Sequence, residues 1–232
     1  MSPACLRLEP TDLILSDFDA TISVIDTGLA MINALSDEDA ATAWEDEYAW
    51  RRGEMSSMEC LRRQWRLFRR TPEEVMAFVD ELELDEGFLG LLKLVHARHA
   101  GLAVLSDGLD FYLDRLLANR GIATCGDDAC VRSSEYLARY TNAACVTPGG
   151  IEIDFPYSTA CGQCGNCKVA HLFRLRPGFA RVIYIGDGHS DLCAARYADT
   201  IFAKHALAED CTRAGRPFIP FETFADILQV IV

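Results

Sequence analysis

Nowhere in the 232 residues does an apolar run approach the ~20 residues that a membrane-spanning helix needs. Met1 to Pro10 holds no basic region followed by an apolar stretch, so no secretory signal is read and the cytoplasm is the expected compartment. Positive charge is scarce: 22 Lys and Arg stand against 35 Asp and Glu, a formal net charge of −13. Nucleic acid, which is bound by clustered Lys and Arg, is therefore excluded as an expected partner, and so is a membrane. A small phosphorylated metabolite is not excluded, because local charge decides binding and a pocket on an acidic protein can be positive. Internal repeats and low-complexity segments are also absent, and nothing specifies an oligomeric state. The one basic stretch, Arg62 to Arg70, reads as the solvated side of an amphipathic helix.

Cysteine, by contrast, is plentiful at ten residues. With no export signal these are expected to be thiols or metal ligands rather than disulfides. Most are expected to be buried as small apolar residues, Cys5 and Cys193 among them. Cys161, Cys164 and Cys167 form two overlapping Cys-x-x-Cys steps. Three thiolates at that spacing can hold structural Zn²⁺ if Cys125, Cys130, Cys145 or His171 supplies a fourth ligand. A redox-labile pair and plain thiols in a Gly-rich loop are the alternatives.

The segment from Leu13 to Phe18 is short, apolar and carries an acid at its end, as a buried parallel strand with a functional tip does. From Asp26 to about Glu83 the texture is helical, with Gly53 and Thr71-Pro72 as punctuation, and no strand candidate intervenes. Thr71 suits an N-cap, with Pro72 first in the helix and Glu74 third. This stretch is expected to be an insertion of three or four helices, residues 26–83, in a core formed by residues 1–25 and 84–232. Beyond it, helices and strands alternate. A helix through His99 is followed by a strand Leu102–Leu105 and a helix Asp110–Asn119. Ala144 to Phe155 reads as a β-hairpin turning at Pro148-Gly149-Gly150. A helix from about Asn166 and strands Arg181–Ile185 and Asp199–Ala203 follow. The expected fold is α/β, a Rossmann-like core whose parallel sheet is covered by helices on both faces.

Three apolar runs end in polar groups suited to phosphate or metal, at the strand ends where such folds place their sites. Asp17 and Asp19, two apart in extended backbone, leave the same face, so one carboxylate can attack phosphorus while the other handles protons. Ser106 can donate to a phosphate oxygen, helped by the amides of Asp107 and Gly108. Asp187 and Asp191, in Gly186-Asp187-Gly188-His189-Ser190-Asp191, suit a hard cation with oxygen ligands, and Lys168 can place a second positive charge on the same phosphate. Singly each residue has a bland explanation, such as a solvated acid, a helix N-terminus or a surface lysine. Together they answer an electrostatic need. A carboxylate ~4 Å from a phosphate dianion is repelled by roughly 8 kcal/mol at an effective dielectric of ~20, and Mg²⁺ with Lys168 offsets that.

In their order along the chain, Asp17-Phe18-Asp19-Ala20-Thr21, Ser106, Lys168 and the Gly186–Asp191 segment resemble the four motifs of the haloacid dehalogenase-like hydrolases. The resemblance implies Asp17 as a nucleophile that carries an aspartyl-phosphate and Asp19 as the acid/base. It implies Mg²⁺ bound by Asp17, Asp187 and the Asp19 carbonyl, with Asp191 in support directly or through water. The helical insertion resembles the small cap of the phosphoserine phosphatase branch. Within that branch the likeness is nearest to the methionine-salvage phosphatases acting on 2-hydroxy-3-keto-5-methylthiopentenyl-1-phosphate. Asp26, Asp110-Phe111-Tyr112, the run from Ile153 to Tyr157, and Cys167-Lys168 carry it. Phosphoethanolamine and phosphocholine phosphatases share a similar outline. Two departures stand out: Ala20 where glycine is usual, and Asp107 where the salvage enzymes have glycine. Hydrolysis of a small phosphomonoester is the expected reaction. A phosphotransferase or mutase on the same machinery, and a non-catalytic zinc or redox module on the same fold, are the alternatives. Asp26, Arg51 and Arg52, with Trp44 and Trp65, are the candidates for substrate contact in the insertion.

Overall fold

Five residues of strand, β1 (Asp12–Ser16), lie at the centre of the sheet because every one of them is buried. The computed structural model describes residues 5–34, 36–147 and 150–232. After β1 come four helices, α1 (Thr27–Asn33), α2 (Asp37–Arg51), α3 (Ser57–Leu67) and α4 (Pro72–Asp80), then α5 (Gly87–Arg98). The chain continues through β2 (Gly101–Leu109), α6 (Asp110–Ala118), β3 (Ala123–Cys125), β4 (Tyr136–Thr147) and β5 (Gly150–Asp154). It ends with α7 (Lys168–Leu175), β6 (Arg181–Gly186), α8 (Leu192–Ala195), β7 (Thr200–Ala203), α9 (His205–Arg213), β8 (Ile219–Pro220) and α10 (Phe224–Val230). The strands run in the order β3-β4-β2-β1-β6-β7-β8 with β5 on β4. All pairs are parallel except β4 with β5.

Alternation along the strands sends Ile14, Val104, Ile183 and Phe202 to one face, against α5, α6 and α10. Leu13, Leu15, Ala103 and Tyr184 go to the other, against α7, α8 and α9. Leu13, Ile14 and Leu15 are wholly buried, each contributing ~2 kcal/mol of transfer free energy. The first of these cores continues into the four helices through Met31, Trp65, Phe68, Val75 and Val79. Trp65 meets Phe111 of α6 edge-on at 6.2 Å, and Arg115 pairs with Asp80 at 2.7 Å. Thr71 caps α4 in a full capping box with Glu74, as its sequence reads. In the basic stretch the arginines are exposed while Trp65 and Phe68 are buried, the amphipathic pattern expected. No helix among the described residues is long and apolar enough to cross a membrane.

The structure departs from the sequence reading in several places. Strand β2 does not stop at Leu105 but continues to Leu109, with a shift of register against β4 between those residues, so Ser106, Asp107 and Gly108 lie within an irregular strand end. The hairpin strand begins at Tyr136, eight residues early, because its first half pairs in the parallel sheet and only its second half with β5. Pro148 and Gly149, its expected turn, lie outside the described residues. Cys125 and Cys130 form a disulfide, their Cα atoms 6.2 Å apart, contrary to the expectation of thiols. Cys5 and Cys193 are exposed rather than buried.

Candidate active site

Parallel strands end together, so the residues after β1 and β6 and the end of β2 converge at one edge of the sheet. Asp17 follows β1 directly, its amide donating to the Ile185 carbonyl at 2.9 Å. Lys168, the first residue of α7, is 3% exposed and reaches Asp17 Oδ1 at 2.8 Å and Asp191 Oδ1 at 2.6 Å. It also donates to Ser190 Oγ at 3.0 Å. Burial opposes the ammonium, but Asp17 and Asp191 outweigh that and raise its pKa. Burial also pushes the Asp17 carboxyl well above its usual range, with the negative charge of Asp191 adding and Lys168 pulling the other way.

Asp191 is wholly buried and its oxygens accept four hydrogen bonds, from Lys168, the Tyr184 hydroxyl and the amides of Asp187 and Gly188. Burial pushes its carboxyl up, yet Lys168, the Tyr184 hydroxyl and the Gly188 amide together outweigh it and the net direction is down. Gly186 is required here: a Cβ would stand 2.5 Å from Asp191 Oδ2. Asp187 accepts from Thr21 Oγ1 at 3.1 Å and lies 3.6 Å from His205 Nδ1. Burial, then Asp191, moves its carboxyl up to about 6. Ligand atoms of Asp17, Asp187 and Asp191 all lie within 4.8 Å of one another, the one such group among the described residues. Among the described residues the Phe18 amide and Lys168 both meet Asp17 Oδ1 and no donor meets its second oxygen, whereas Asp191 is fully engaged, so Asp17 and Asp187 are the members fitted to take a hard cation.

Asp19 is gripped on both oxygens. Oδ2 accepts from the Tyr112 hydroxyl at 2.8 Å and from Ser106 Oγ at 3.2 Å, and Oδ1 accepts from the Thr27 amide at 3.1 Å. Burial raises its pKa and these donors partly oppose the rise. Gly108 is the price of this contact, since a Cβ there would sit 1.8 Å from the Tyr112 oxygen. Its amide donates to Ser106 Oγ at 3.0 Å. Ala20, at φ 51°, occupies the left-handed region that glycine tolerates.

Asp107 faces the same cavity and accepts from the Asn166 amide at 2.8 Å and Asn142 Nδ2 at 3.1 Å. Burial raises its carboxyl, against a hydrogen bond from Ser57. Ser57 in turn donates its amide to the Gln163 carbonyl at 2.9 Å and accepts from the Gly165 amide at 3.0 Å. The start of α3 is thus tied to the Cys161–Cys167 loop, and that loop to Ser106 through Asn166 Nδ2 at 2.8 Å. The zinc alternative finds no support: Cys161 is exposed, and among the described residues no candidate metal group includes Cys161, Cys164 or Cys167. Two of the proposed fourth ligands are consumed by the Cys125–Cys130 disulfide. A third, His171, donates from Nε2 to Asn166 Oδ1 at 2.6 Å and accepts from Arg174 on Nδ1, neutral because burial drives its pKa down to about 3.

Asp17, Asp19, Ser106, Asp107 and Asp187 line a cavity of about 330 Å³ closed on its far side by α1, α2 and α3. Asp26, Arg51 and Trp65 line it; Arg52 and Trp44 do not. Arg52, the C-cap of α2, is turned outward in a pair with Glu54 at 2.7 Å. Asp26 caps α1 by accepting from the Leu29 amide at 2.9 Å, and burial, the Asp19 charge and the Glu47 charge help push it up to about 7. Sequence reasoning missed Glu47, Tyr184, Asn142 and Asn166, and noticed Tyr112 only as part of a likeness. A tyrosine or asparagine that holds another side chain has no pattern of its own, and Glu47 sits in a largely polar helix whose sequence marks no buried face.

With the geometry in place, three comparisons bear on it. Residues 14–196 match the model of the haloacid dehalogenase-like hydrolase family. A 2-hydroxy-3-keto-5-methylthiopentenyl-1-phosphate phosphatase of Bacillus velezensis is 27% identical over 94% of this chain and 88% of its own length. The enzyme of that name from Exiguobacterium sibiricum is 27% identical over 93% and 94%. In three dimensions the fold is shared with a phosphoserine phosphatase solved as a phospho-aspartyl intermediate analogue, at TM-score 0.67 and 20% identity over 95% of this chain and 98% of that one. The chain belongs to the haloacid dehalogenase-like hydrolase family.

Proposed function

We propose that this member of the haloacid dehalogenase-like hydrolases is a phosphatase that cleaves a small phosphomonoester through an aspartyl-phosphate on Asp17, with Mg²⁺ as cofactor. The observation that carries the reading is the convergence of Asp17, Lys168 and Asp187 at the end of the central strand, with Asp19 held beside them by Tyr112 and Ser106. Asp17 attacks phosphorus through one of its two carboxylate oxygens, leaving the other for the cation. Lys168 and Ser106 receive the phosphate oxygens, and Asp191 fixes the ammonium in place. When bound by Asp17 and Asp187, Mg²⁺ supplies the charge that offsets repulsion between carboxylate and phosphate. Asp19, its proton affinity raised by burial, gives a proton to the leaving oxygen and then takes one from the attacking water.

Residues 26–83 act in this reading as a cap that closes over the core of residues 1–25 and 84–232, excludes bulk water and sets specificity. The cavity of about 330 Å³ suits a metabolite-sized ester. The names of the full-length relatives make a methylthiopentenyl phosphate of their kind the first substrate to test. Phosphate release from a panel of phosphomonoesters, with Mg²⁺ and with chelator, tests the reading. Mg²⁺-dependent release that Asp17→Asn abolishes supports it; release unaffected by that substitution contradicts it.

A further inference from the structure

The wall of the cavity that faces the leaving group carries a buried carboxylate that the chemistry above does not use. Glu47, on α2, is 7% exposed and lines the cavity. Its Oε1 accepts from Arg51 Nε at 2.8 Å and its Oε2 from Gln64 Nε2 at 3.2 Å, with the Gln64 amide anchored in turn on the Ala43 carbonyl at 3.2 Å. Oε2 also accepts from Cys60 Sγ at 4.0 Å, so three donors hold the carboxylate still, and Oε1 keeps a further lone-pair direction for a ligand. Asp26 stands on the same wall, with one oxygen occupied by the Leu29 amide. Burial, Asp19 and Glu47 together push Asp26 up to about 7, which places these acids within electrostatic reach of one another. Asp107 adds a third acid across the cavity. Arg51 is the one cation on this wall; it is 36% exposed and its Nε is already on Glu47. Besides Ser57 and Gln64, the remaining surface there includes Cys60, Leu61 and the aromatic rings of Trp50 and Trp65.

We infer that Glu47 is a specificity-determining residue that accepts a hydrogen bond from the alcohol part of the substrate, and that this alcohol carries a hydroxyl or ammonium donor and no carboxylate. The inference rests on the phosphatase reading and narrows its substrate class. A carboxylate on the leaving group meets acceptors and like charge where it needs donors, and leaves Glu47 unpaired in a buried site. A donor satisfies Glu47 and, if cationic, is also attracted by Asp26 and Asp107. Discrimination of this kind is strong because the penalty falls on the protein's own buried polar groups.

The test uses the Mg²⁺-loaded full chain and pairs of esters that differ in the carboxylate: phosphoethanolamine against phosphoserine, and glycerol phosphate against phosphoglycerate, with propyl phosphate as the ester lacking any donor. In at least one pair kcat/KM is expected to be about tenfold or more higher for the carboxylate-free ester, which also exceeds propyl phosphate. The ethanolamine pair reads an ammonium and the glycerol pair a hydroxyl. E47Q, which keeps the shape and adds a donor, is expected to shrink that preference about tenfold. Equal kcat/KM within both pairs of the wild-type enzyme overturns the inference without needing the variant, and so does a ratio unchanged in a folded E47Q. Release from p-nitrophenyl phosphate with flat ratios contradicts the role of Glu47 alone. No release from any ester contradicts the phosphatase reading and this inference with it.

Discussion

Replacing Asp26 with Asn isolates the cost of charging the cavity. In the native protein burial, followed by the Asp19 charge, lifts the Asp26 carboxyl from 3.8 to about 7. The native state therefore holds this proton more tightly than the unfolded chain does. Between pH 4 and 7, roughly, the unfolded chain ionises while the native protein does not, so stability falls as pH rises through that window and then levels off. At about 1.4 kcal/mol for each tenfold change in proton affinity, the loss reaches about 4 kcal/mol at pH 8. Asn keeps the size of the side chain and the acceptor for the Leu29 amide, so the cap of α1 survives and only the titration disappears. The variant should match the wild type near pH 4 and exceed it at pH 8, by about 2 °C of Tm per kcal/mol, or about 8 °C. Thermal unfolding of both proteins across that pH range, with chelator and without phosphate, is the assay. Parallel Tm curves at all pH values would refute the reasoning, and a variant that loses ground as pH rises would reverse its sign.

Ala20→Gly should raise stability by about 1 kcal/mol, seen as a higher denaturant midpoint, because φ of 51° there strains any residue with a Cβ. Lys168→Met should leave Asp17 and Asp191 buried without their cation, lowering stability by about 3–5 kcal/mol in chemical denaturation. The same variant should lose about a hundredfold or more in kcat through the missing positive charge on the phosphate.

Much of this site was legible because its chemistry sits at strand tips. An apolar run ending in an acid marks its own location, and β1 with Asp17, and β6 with Asp187, lie where their sequences put them. The capping box at Thr71 was legible for the same reason, being local. What was not legible is non-local. Strand β2 runs on to Leu109 because β4 pairs with it there, and Tyr136–Ala143 lacks a clean strand pattern because it carries polar residues with partners of their own, Arg139 on Asp114 and Thr141, and Asn142 on Asp107. The cysteine motif promised ligands by spacing alone, but whether sulfurs converge is set by the loop's anchors. Those anchors, Ser57 and Asp107, hold the loop by its backbone amides, and its three cysteines are free thiols.

The account stands on a covalent bond between phosphorus and Asp17. Rapid mixing of the Mg²⁺-loaded protein with a substrate ester, followed by borohydride quench and peptide mass spectrometry, reads it directly, since borohydride reduces an acyl phosphate to an alcohol. Homoserine at position 17, formed only with ester present and absent from Asp17→Asn, is the predicted result. Undiminished phosphate release with intact aspartate at 17, or homoserine at another carboxylate such as Asp19, would contradict it.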